Sequence, residues 1–222
     1  AWIVSDPTTA ILIKFTGVTY ALSWMGFKLG TPLGEKTWHI PVALQLVILS
    51  WLWTTTLAGM PFWFAHKLNF IDSLFVGVSG LTTTGSEVLN LETLTRPWLL
   101  YHQLLQFVGG FGIILLATTL VPALRQVAQP LYRIDVIGAD KQSKWLPRWS
   151  ALVTWMLGFY ICLWLACSFS FKMCGLDWFS ALTESMSTIS TGGFSLHSQS
   201  LGYYHSDQLL GVASFFMLAS AI

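Results

Sequence analysis

The chain has 222 residues, of which 54% are hydrophobic and only 9% are charged, and its formal net charge is +1. Soluble domains carry roughly 25% charged residues, so the composition is that of an integral membrane protein. Its twelve tryptophans, six tyrosines and fifteen phenylalanines fit aromatic belts at two membrane interfaces. A near-neutral chain lacks the basic face that nucleic acids require, which excludes nucleic acid as a partner.

Three apolar runs are long enough to span a bilayer, which takes about 20 residues in a helix. They cover residues 41–64, 98–121 and 150–173. An earlier run at residues 9–29, which contains Lys14, is interpreted as a further span rather than an interfacial helix. A fourth run begins near Asp207 and stops at Ile222. Because the chain has no initiator Met and stops inside an apolar run, we expect both ends to be cut from a longer protein.

Two segments share one pattern, a short half-apolar helix followed by a Thr-Gly turn. The first runs over residues 72–85 and the second over residues 180–193. The offset that carries Gly85 onto Gly193 also places the first predicted span on residues 149–172, so the surrounding spans are repeated as well. The short helices, at residues 70–81 and 178–189, are too apolar for free loops, which favours re-entrant half-helices over ordinary amphipathic helices outside the membrane.

The predicted fold is therefore all-α and membrane-embedded, with two tandem, parallel copies of helix, pore helix and helix. An N-terminal helix and cytoplasmic connection cover residues 1–40, the first repeat 41–121, a cytoplasmic loop 122–149 and the second repeat, truncated in its last helix, 150–222. The loop is assigned to the cytoplasm by its basic residues, which are Arg125, Arg133, Lys141, Lys144 and Arg148. Both Thr-Gly turns then face outward. The two copies run in the same direction across the membrane, unlike the inverted repeats of many carriers.

The Thr-Gly turns have the chemistry of a potassium-selective filter. A dehydrated potassium ion needs a cage of oxygen dipoles, which backbone carbonyls supply, and glycine permits the backbone angles that point them inward. The candidate residues are Thr82, Thr83, Thr84 and Gly85 in the first turn and Ser190, Thr191, Gly192 and Gly193 in the second. Each preceding half-helix directs the negative end of its dipole at the cavity, which favours a cation. Asp72 is expected to cap the first half-helix.

Three motifs carry a family resemblance. They are Gly-Val-Ser-Gly-Leu-Thr-Thr-Thr-Gly-Ser at residues 77–86, Gln-Phe-Val-Gly-Gly-Phe-Gly-Ile-Ile at 106–114 and Ile-Ser-Thr-Gly-Gly-Phe-Ser at 189–195. The chain from Val42 onward resembles the Trk/Ktr/HKT superfamily of potassium transporters, and within it the bacterial Trk uptake subunits. The resemblance implies four repeats around one pseudo-fourfold pore, of which this chain holds two. It also implies potassium binding by the backbone carbonyls of Thr83, Thr84, Thr191 and Gly192.

The resemblance implies potassium uptake across the bacterial inner membrane by a multi-pass protein, with potassium as the transported ion and no organic cofactor. The implied partners are membrane lipid, a second copy in a homodimer of the full-length protein, and a cytoplasmic nucleotide-binding regulatory subunit. A serine in place of Gly85 goes with sodium transport in plant relatives, so Gly85 points to potassium. The alternatives are a sodium-permeable or non-selective relative and a non-conducting membrane regulatory subunit. The sequence shows no nucleophile paired with a general base, so we do not expect an enzyme.

A few other residues have two interpretations. Glu184, in the second half-helix, either braces the neighbouring filter loop by hydrogen bonding or attracts cations. For His102, which lies near Gln103 and Gln106, a polar contact between helices is favoured over a proton relay. The glycines at residues 109–112 lack the spacing and context of a dinucleotide loop and are interpreted as small residues that let helices pack closely.

Overall fold

The computed structural model describes residues 9–29, 40–65, 67–132 and 149–221, and every regular element in these ranges is helical. The seven α-helices are α1 (Thr9–Leu29), α2 (Ile40–Phe64), α3 (Phe70–Leu81), α4 (Arg96–Tyr132), α5 (Trp149–Met173), α6 (Trp178–Ile189) and α7 (Asp207–Ala221). Short 3₁₀ turns at Leu91–Thr93 and Ser200–Tyr204 precede α4 and α7. The prediction of an all-α chain is confirmed for the described residues.

Three of these helices contain stretches long and apolar enough to cross a membrane. Within the described residues they are Val47–Phe64 in α2, Arg96–Thr118 in α4 and Ala151–Met173 in α5, which agree with the three predicted spans. Large apolar side chains on them stay exposed, among them Trp53 at 67% and Trp155 at 79%. Such surfaces suit hydrocarbon rather than water. The prediction that α1 is a span stays a prediction, because its described side chains cover only part of the helix.

Helix α4 extends further than its apolar run. The predicted span ends at residue 121, whereas the helix continues to Tyr132, so the predicted cytoplasmic loop begins inside a helix. The added segment, residues 122–132, holds two Ala, two Leu, two Gln and one Arg, which are good helix formers, beside two prolines. Of the basic residues behind the predicted orientation, Arg133, Lys141, Lys144 and Arg148 lie outside the described residues. The orientation therefore stays a prediction.

The two halves of the chain, residues 40–132 and 149–221, have the same order of elements. Helices α2 and α5 have 25 residues each, and α3 and α6 have 12 residues each. The offset that the sequence pattern indicates carries both ends of α3 onto the ends of α6. Each half also has its own buried cluster, one around Phe62, Val76 and Trp98 and the other around Phe171 and Leu209.

Small residues allow the helices to approach closely. A Cβ atom on Gly77 of α3 would overlap the Thr55 carbonyl of α2, and one on Gly109 of α4 would overlap the Leu81 backbone at the end of α3. A Cβ on Gly110 would lie 2.8 Å from the Ser190 Cβ, at the end of α6. The predicted role in close packing is confirmed for Gly109 and Gly110, whereas a Cβ on Gly112 would meet Trp51 at an ordinary 3.6 Å. Helix α4 therefore lies directly against the ends of both short helices.

Candidate functional site

The two short helices end with the same hydrogen-bond pattern. After α3, the N–H groups of Thr82, Thr83 and Thr84 donate to the carbonyls of Val78 (2.9 Å), Gly80 (3.1 Å) and Ser79 (2.9 Å). After α6, the N–H groups of Ser190, Thr191 and Gly192 donate to the carbonyls of Met186 (3.1 Å), Thr188 (3.2 Å) and Ser187 (3.0 Å). Every donor and acceptor of the first set is carried onto the second by the repeat offset. Both ends are Schellman motifs, which stop a helix and turn the chain sharply.

Each loop contains a threonine in a conformation that threonine seldom adopts. The φ angles of Thr83 and Thr191 are 52° and 51°, in the left-handed region where a Schellman motif ordinarily has glycine. A β-branched residue there is strained by about 1–2 kcal/mol, and such strain persists where the surrounding structure imposes it, often at functional sites. Two residues later Gly85 and Gly193 have φ angles of 75° and 87°, so the predicted need for glycine at both positions is confirmed.

The first loop (residues 82–85) and the second loop (residues 190–193) lie side by side. A Cβ atom on Gly85 would overlap the Gly192 carbonyl oxygen, and one on Gly193 would lie 3.9 Å from the Gly85 Cα. The two predicted filter segments, which are far apart in sequence, therefore meet at their glycines. Within the first loop the Oγ1 atoms of Thr82 and Thr84 are 2.7 Å apart and share a hydrogen bond.

Gln106 of α4 holds the second loop through three hydrogen bonds. Its Nε2 donates to the Gly192 carbonyl at 2.8 Å, and its Oε1 accepts from the Phe194 N–H at 3.0 Å and the Ser187 Oγ at 2.9 Å. The side chain is fully buried. A Cβ on Gly192 would overlap the Gln106 amide, which explains a glycine at a position without a positive φ. In the sequence Gln106 begins the motif at residues 106–114 and lies near His102, but neither fact predicts its contact with the second loop.

Glu184 braces the chain just beyond the second loop. Its Oε1 accepts from the Ser195 Oγ at 2.6 Å and from the Leu196 N–H at 2.9 Å, and its side chain is 1% exposed. A buried polar side chain needs hydrogen-bond partners, and the Oε1 of Glu184 has two donors at this depth. Of the two interpretations of Glu184, the structure therefore favours the brace over the attraction of cations.

His102 also contacts the residues that follow the second loop. Its ring stacks on Phe194, with centroids 3.7 Å apart and planes inclined by 19°. Its Nε2 lies 2.9 Å from the Oε2 of Glu87, which follows the first loop. The adjacent Gln103 is also fully buried, and neither polar atom of its side chain has a hydrogen-bond partner among the described residues. Three polar residues of α4 are thus buried together, and only Gln106 hydrogen-bonds a predicted filter loop.

The starts of α3 and α6 are equivalent but are capped differently. Asn69 and Asp177, again related by the repeat offset, are the N-cap residues, with ψ angles of 163° and 159°. The Asp177 carboxylate accepts from the N–H groups of Phe179 (3.2 Å) and Ser180 (3.5 Å), whereas Asn69 makes no side-chain cap. The prediction that Asp72 caps α3 is wrong, because the helix begins at Phe70 and Asp72 lies in its first turn.

Hydrogen bonding also lowers the pKa of Asp177. The largest contribution is a hydrogen bond from the Ser180 side chain, and the backbone donors of Ser180 and Phe179 and the positive charge of Arg96 act in the same direction. Burial opposes them. Arg96, at the start of α4, also lies over the Phe179 ring, 5.3 Å from its centroid. The N-terminal ends of α4 and α6 are therefore in contact, and further along its length α4 also contacts the second loop.

Comparisons with known proteins identify the family of this chain. A family model described as "TrkH: Cation transport protein" matches residues 20–222. The Trk system potassium uptake protein TrkG of Escherichia coli (strain K12) is 36% identical over 179 residues, which cover 79% of this chain and 37% of TrkG. The TrkH protein of the same strain is 37% identical over 180 residues, with the same coverage.

A solved structure is similar along nearly the whole chain. The crystal structure of the potassium transporter TrkH from Vibrio parahaemolyticus matches with a TM-score of 0.82 at 28% identity, and the match covers 99% of this chain and 44% of that one. The chain thus spans less than half the length of the relatives it matches. The family model, the relatives and the apolar helices agree on a multi-pass membrane protein of a transport family rather than an enzyme family. The chain belongs to the TrkH family of cation transport proteins.

Proposed function

We propose that this chain supplies two segments of a potassium-selective filter in a membrane uptake protein. The observation that carries the proposal is the contact between two loops of the same backbone geometry, which meet at Gly85, Gly192 and Gly193. Related loops that converge on one axis are how channels surround an ion with carbonyl oxygens. The names of the relatives, which are potassium uptake proteins, support potassium as the ion.

The carbonyls of the two loops suit this role unequally. Within the described ranges, no hydrogen bond reaches the carbonyls of Thr83, Thr84 and Thr191, so these oxygens are free to replace water around an ion. The Gly192 carbonyl already accepts from Gln106, which leaves it one lone pair. We therefore propose Thr83, Thr84 and Thr191 as the main potassium ligands of the filter segments at residues 82–85 and 190–193, with Gly192 as a shared one.

The short helices support a cation at the same place. Both α3 and α6 end at the loops, so the negative ends of two helix dipoles lie beside the proposed ion path. Twelve residues of helix rise about 18 Å, too little to span the hydrocarbon core of about 30 Å. We propose that α3 and α6 are re-entrant pore helices, each between two longer helices, in tandem parallel repeats.

The rest of the assembly is proposed from the family. A complete pore is proposed to need four such repeats, in a bacterial inner-membrane protein surrounded by lipid. Potassium is then the cargo rather than a resident cofactor. A homodimer and a cytoplasmic nucleotide-binding regulatory subunit are the proposed protein partners.

The test is rubidium uptake by the complete gene product in cells that lack potassium uptake systems, measured against sodium uptake. We expect rubidium to be taken up in preference to sodium. Gly193→Ser should reduce that preference, because a side chain is strained at its φ of 87° beside Gly85. Gly211→Ser, where a Cβ meets nothing within 4 Å, is the control. Absent uptake, or a Gly193→Ser variant with unchanged preference, would contradict the proposal, and equal uptake of both ions would indicate a non-selective relative.

A further inference from the structure

We propose that Gln106 is a positioning residue that determines ion selectivity by fixing the orientation of the second loop. The inference rests on the proposed function, since it assumes that the loop lies on an ion path. Gln106 belongs to α4 of the first half of the chain, and its three hydrogen-bond partners, Ser187, Gly192 and Phe194, belong to the second. One amide group therefore holds the end of α6, the loop and the residue that follows it.

The Gln106 amide fits its partners in one orientation only. Its Oε1 faces two donors and its Nε2 faces an acceptor, so exchanging the two atoms by a flip of the amide would place oxygen against the Gly192 carbonyl and nitrogen against the Phe194 N–H. Because the group is fully buried, water does not replace a lost partner. Gln106 thus sets the direction of the Gly192 carbonyl. That direction in turn constrains the backbone of the residues that come next.

The two loops differ in this respect. In the first half, Ser79 of α3, the equivalent of Ser187, donates to the carbonyl of Ser86, just beyond the first loop, at 2.7 Å. In the second half, Ser187 of α6 donates instead to Gln106 at 2.9 Å. The second loop therefore depends on a helix of the other half for its geometry. The Gly192 carbonyl that Gln106 holds is also the atom against which Gly85 packs, so the same amide sets the spacing between the loops.

The experiment measures the ratio of rubidium to sodium uptake by the complete gene product carrying Gln106→Leu, which keeps most of the side-chain volume and removes all three hydrogen bonds. The matched control is Gln103→Leu, which changes a fully buried glutamine of the same helix that has no hydrogen-bond partner among the described residues. We expect Gln106→Leu to lower the ratio by about fivefold or more, and Gln103→Leu to leave it unchanged.

Two further variants keep the test decisive if Gln106→Leu does not accumulate in the membrane. Gln106→Glu exchanges the amide donor to Gly192 for a carboxyl group, and Ser187→Ala removes only one donor to Gln106; the serine variant, which adds no acidic group, should lower the ratio in part. A normal ratio in an accumulated Gln106 variant, or an equal loss in Gln103→Leu, would overturn the inference. Wild-type protein that takes up neither ion selectively would instead count against the proposed function, so the two failures are distinguishable.

Discussion

Thr83 and Thr191 adopt the same left-handed backbone conformation at equivalent places in the two halves of the chain, with φ angles of 52° and 51°. Each is the first residue beyond the cap of a 12-residue helix, and each is followed two residues later by a glycine with positive φ. Two independent loops that share an unfavourable threonine conformation share a geometric requirement. The repeat thus extends from the sequence pattern to the backbone angles.

Replacing either strained threonine by glycine should stabilise the protein. Thr191→Gly removes about 1–2 kcal/mol of left-handed strain and loses part of that gain through the flexibility of glycine in the unfolded chain, so we expect a net gain of about 1 kcal/mol. Thermal unfolding in detergent measures the change. As the control, Thr54→Gly on the exposed face of α2 should instead destabilise slightly, by about 0.2–0.5 kcal/mol. If Thr191→Gly destabilised the protein as much as Thr54→Gly does, Thr191 would not be strained.

Substitutions of Glu184 separate its two interpretations. Glu184→Ala leaves the buried Ser195 hydroxyl and Leu196 N–H without an acceptor, so we expect a loss of about 1–3 kcal/mol in the free energy of unfolding. Glu184→Gln keeps an acceptor oxygen and should lose clearly less. Thermal unfolding of both variants is the measurement. If Glu184→Gln kept its stability and lost uptake as severely as Glu184→Ala, the carboxylate charge would be acting on the ion rather than on the loop.

The cap of α6 should make stability depend on acid pH. The pKa of Asp177 is lower in the folded protein than in the unfolded chain, so the carboxylate stabilises the fold fully above the unfolded pKa and loses that effect as pH falls below about 4. Asp177→Ala should cost about 1 kcal/mol at neutral pH, and Asp177→Asn less. Unfolding measured at pH 7 and pH 3 should show a smaller penalty for Asp177→Ala in acid; the same penalty at both would contradict the charged cap.

The first half offers the converse change. Asn69, the equivalent of Asp177, makes no side-chain cap, and α3 has Asp72 as the acidic residue of its first turn. Asn69→Asp should add a charged cap to α3 and raise the free energy of unfolding by up to about 1 kcal/mol at neutral pH. Thermal unfolding of this variant beside Asp177→Ala would show opposite shifts. A destabilised Asn69→Asp would mean that repulsion from Asp72 exceeds the gain from the cap.

Local patterns predict much of this fold, because hydropathy and the repeat are written in contiguous residues. The spans and the bounds of α3 and α6 follow from them, and glycines at Gly85 and Gly193 follow from the turn they must make. The end of α4 at Tyr132 does not follow from hydropathy, because the helix continues beyond the apolar run that ends at residue 121. The left-handed conformations of Thr83 and Thr191 do not follow either, because threonine seldom adopts a positive φ angle. Gln106 contacts residues of the other half of the chain, and although it begins the motif at residues 106–114, that motif does not indicate which residues it contacts.

The close fit between Gln106 and Gly192 predicts coupled effects of substitution. Gly192→Ala alone would force a methyl group against the Gln106 amide and should destabilise by about 1–3 kcal/mol. Gln106→Ala alone would leave a cavity and unpaired groups at Ser187, Gly192 and Phe194. In the double variant the new methyl group enters the space that the amide vacates, so the summed loss should exceed the measured loss by at least about 0.5 kcal/mol. Thermal unfolding of the four proteins completes the cycle. Strict additivity would mean that the loop moves away from Gln106 when Gly192 changes, and that Gln106 does not hold it.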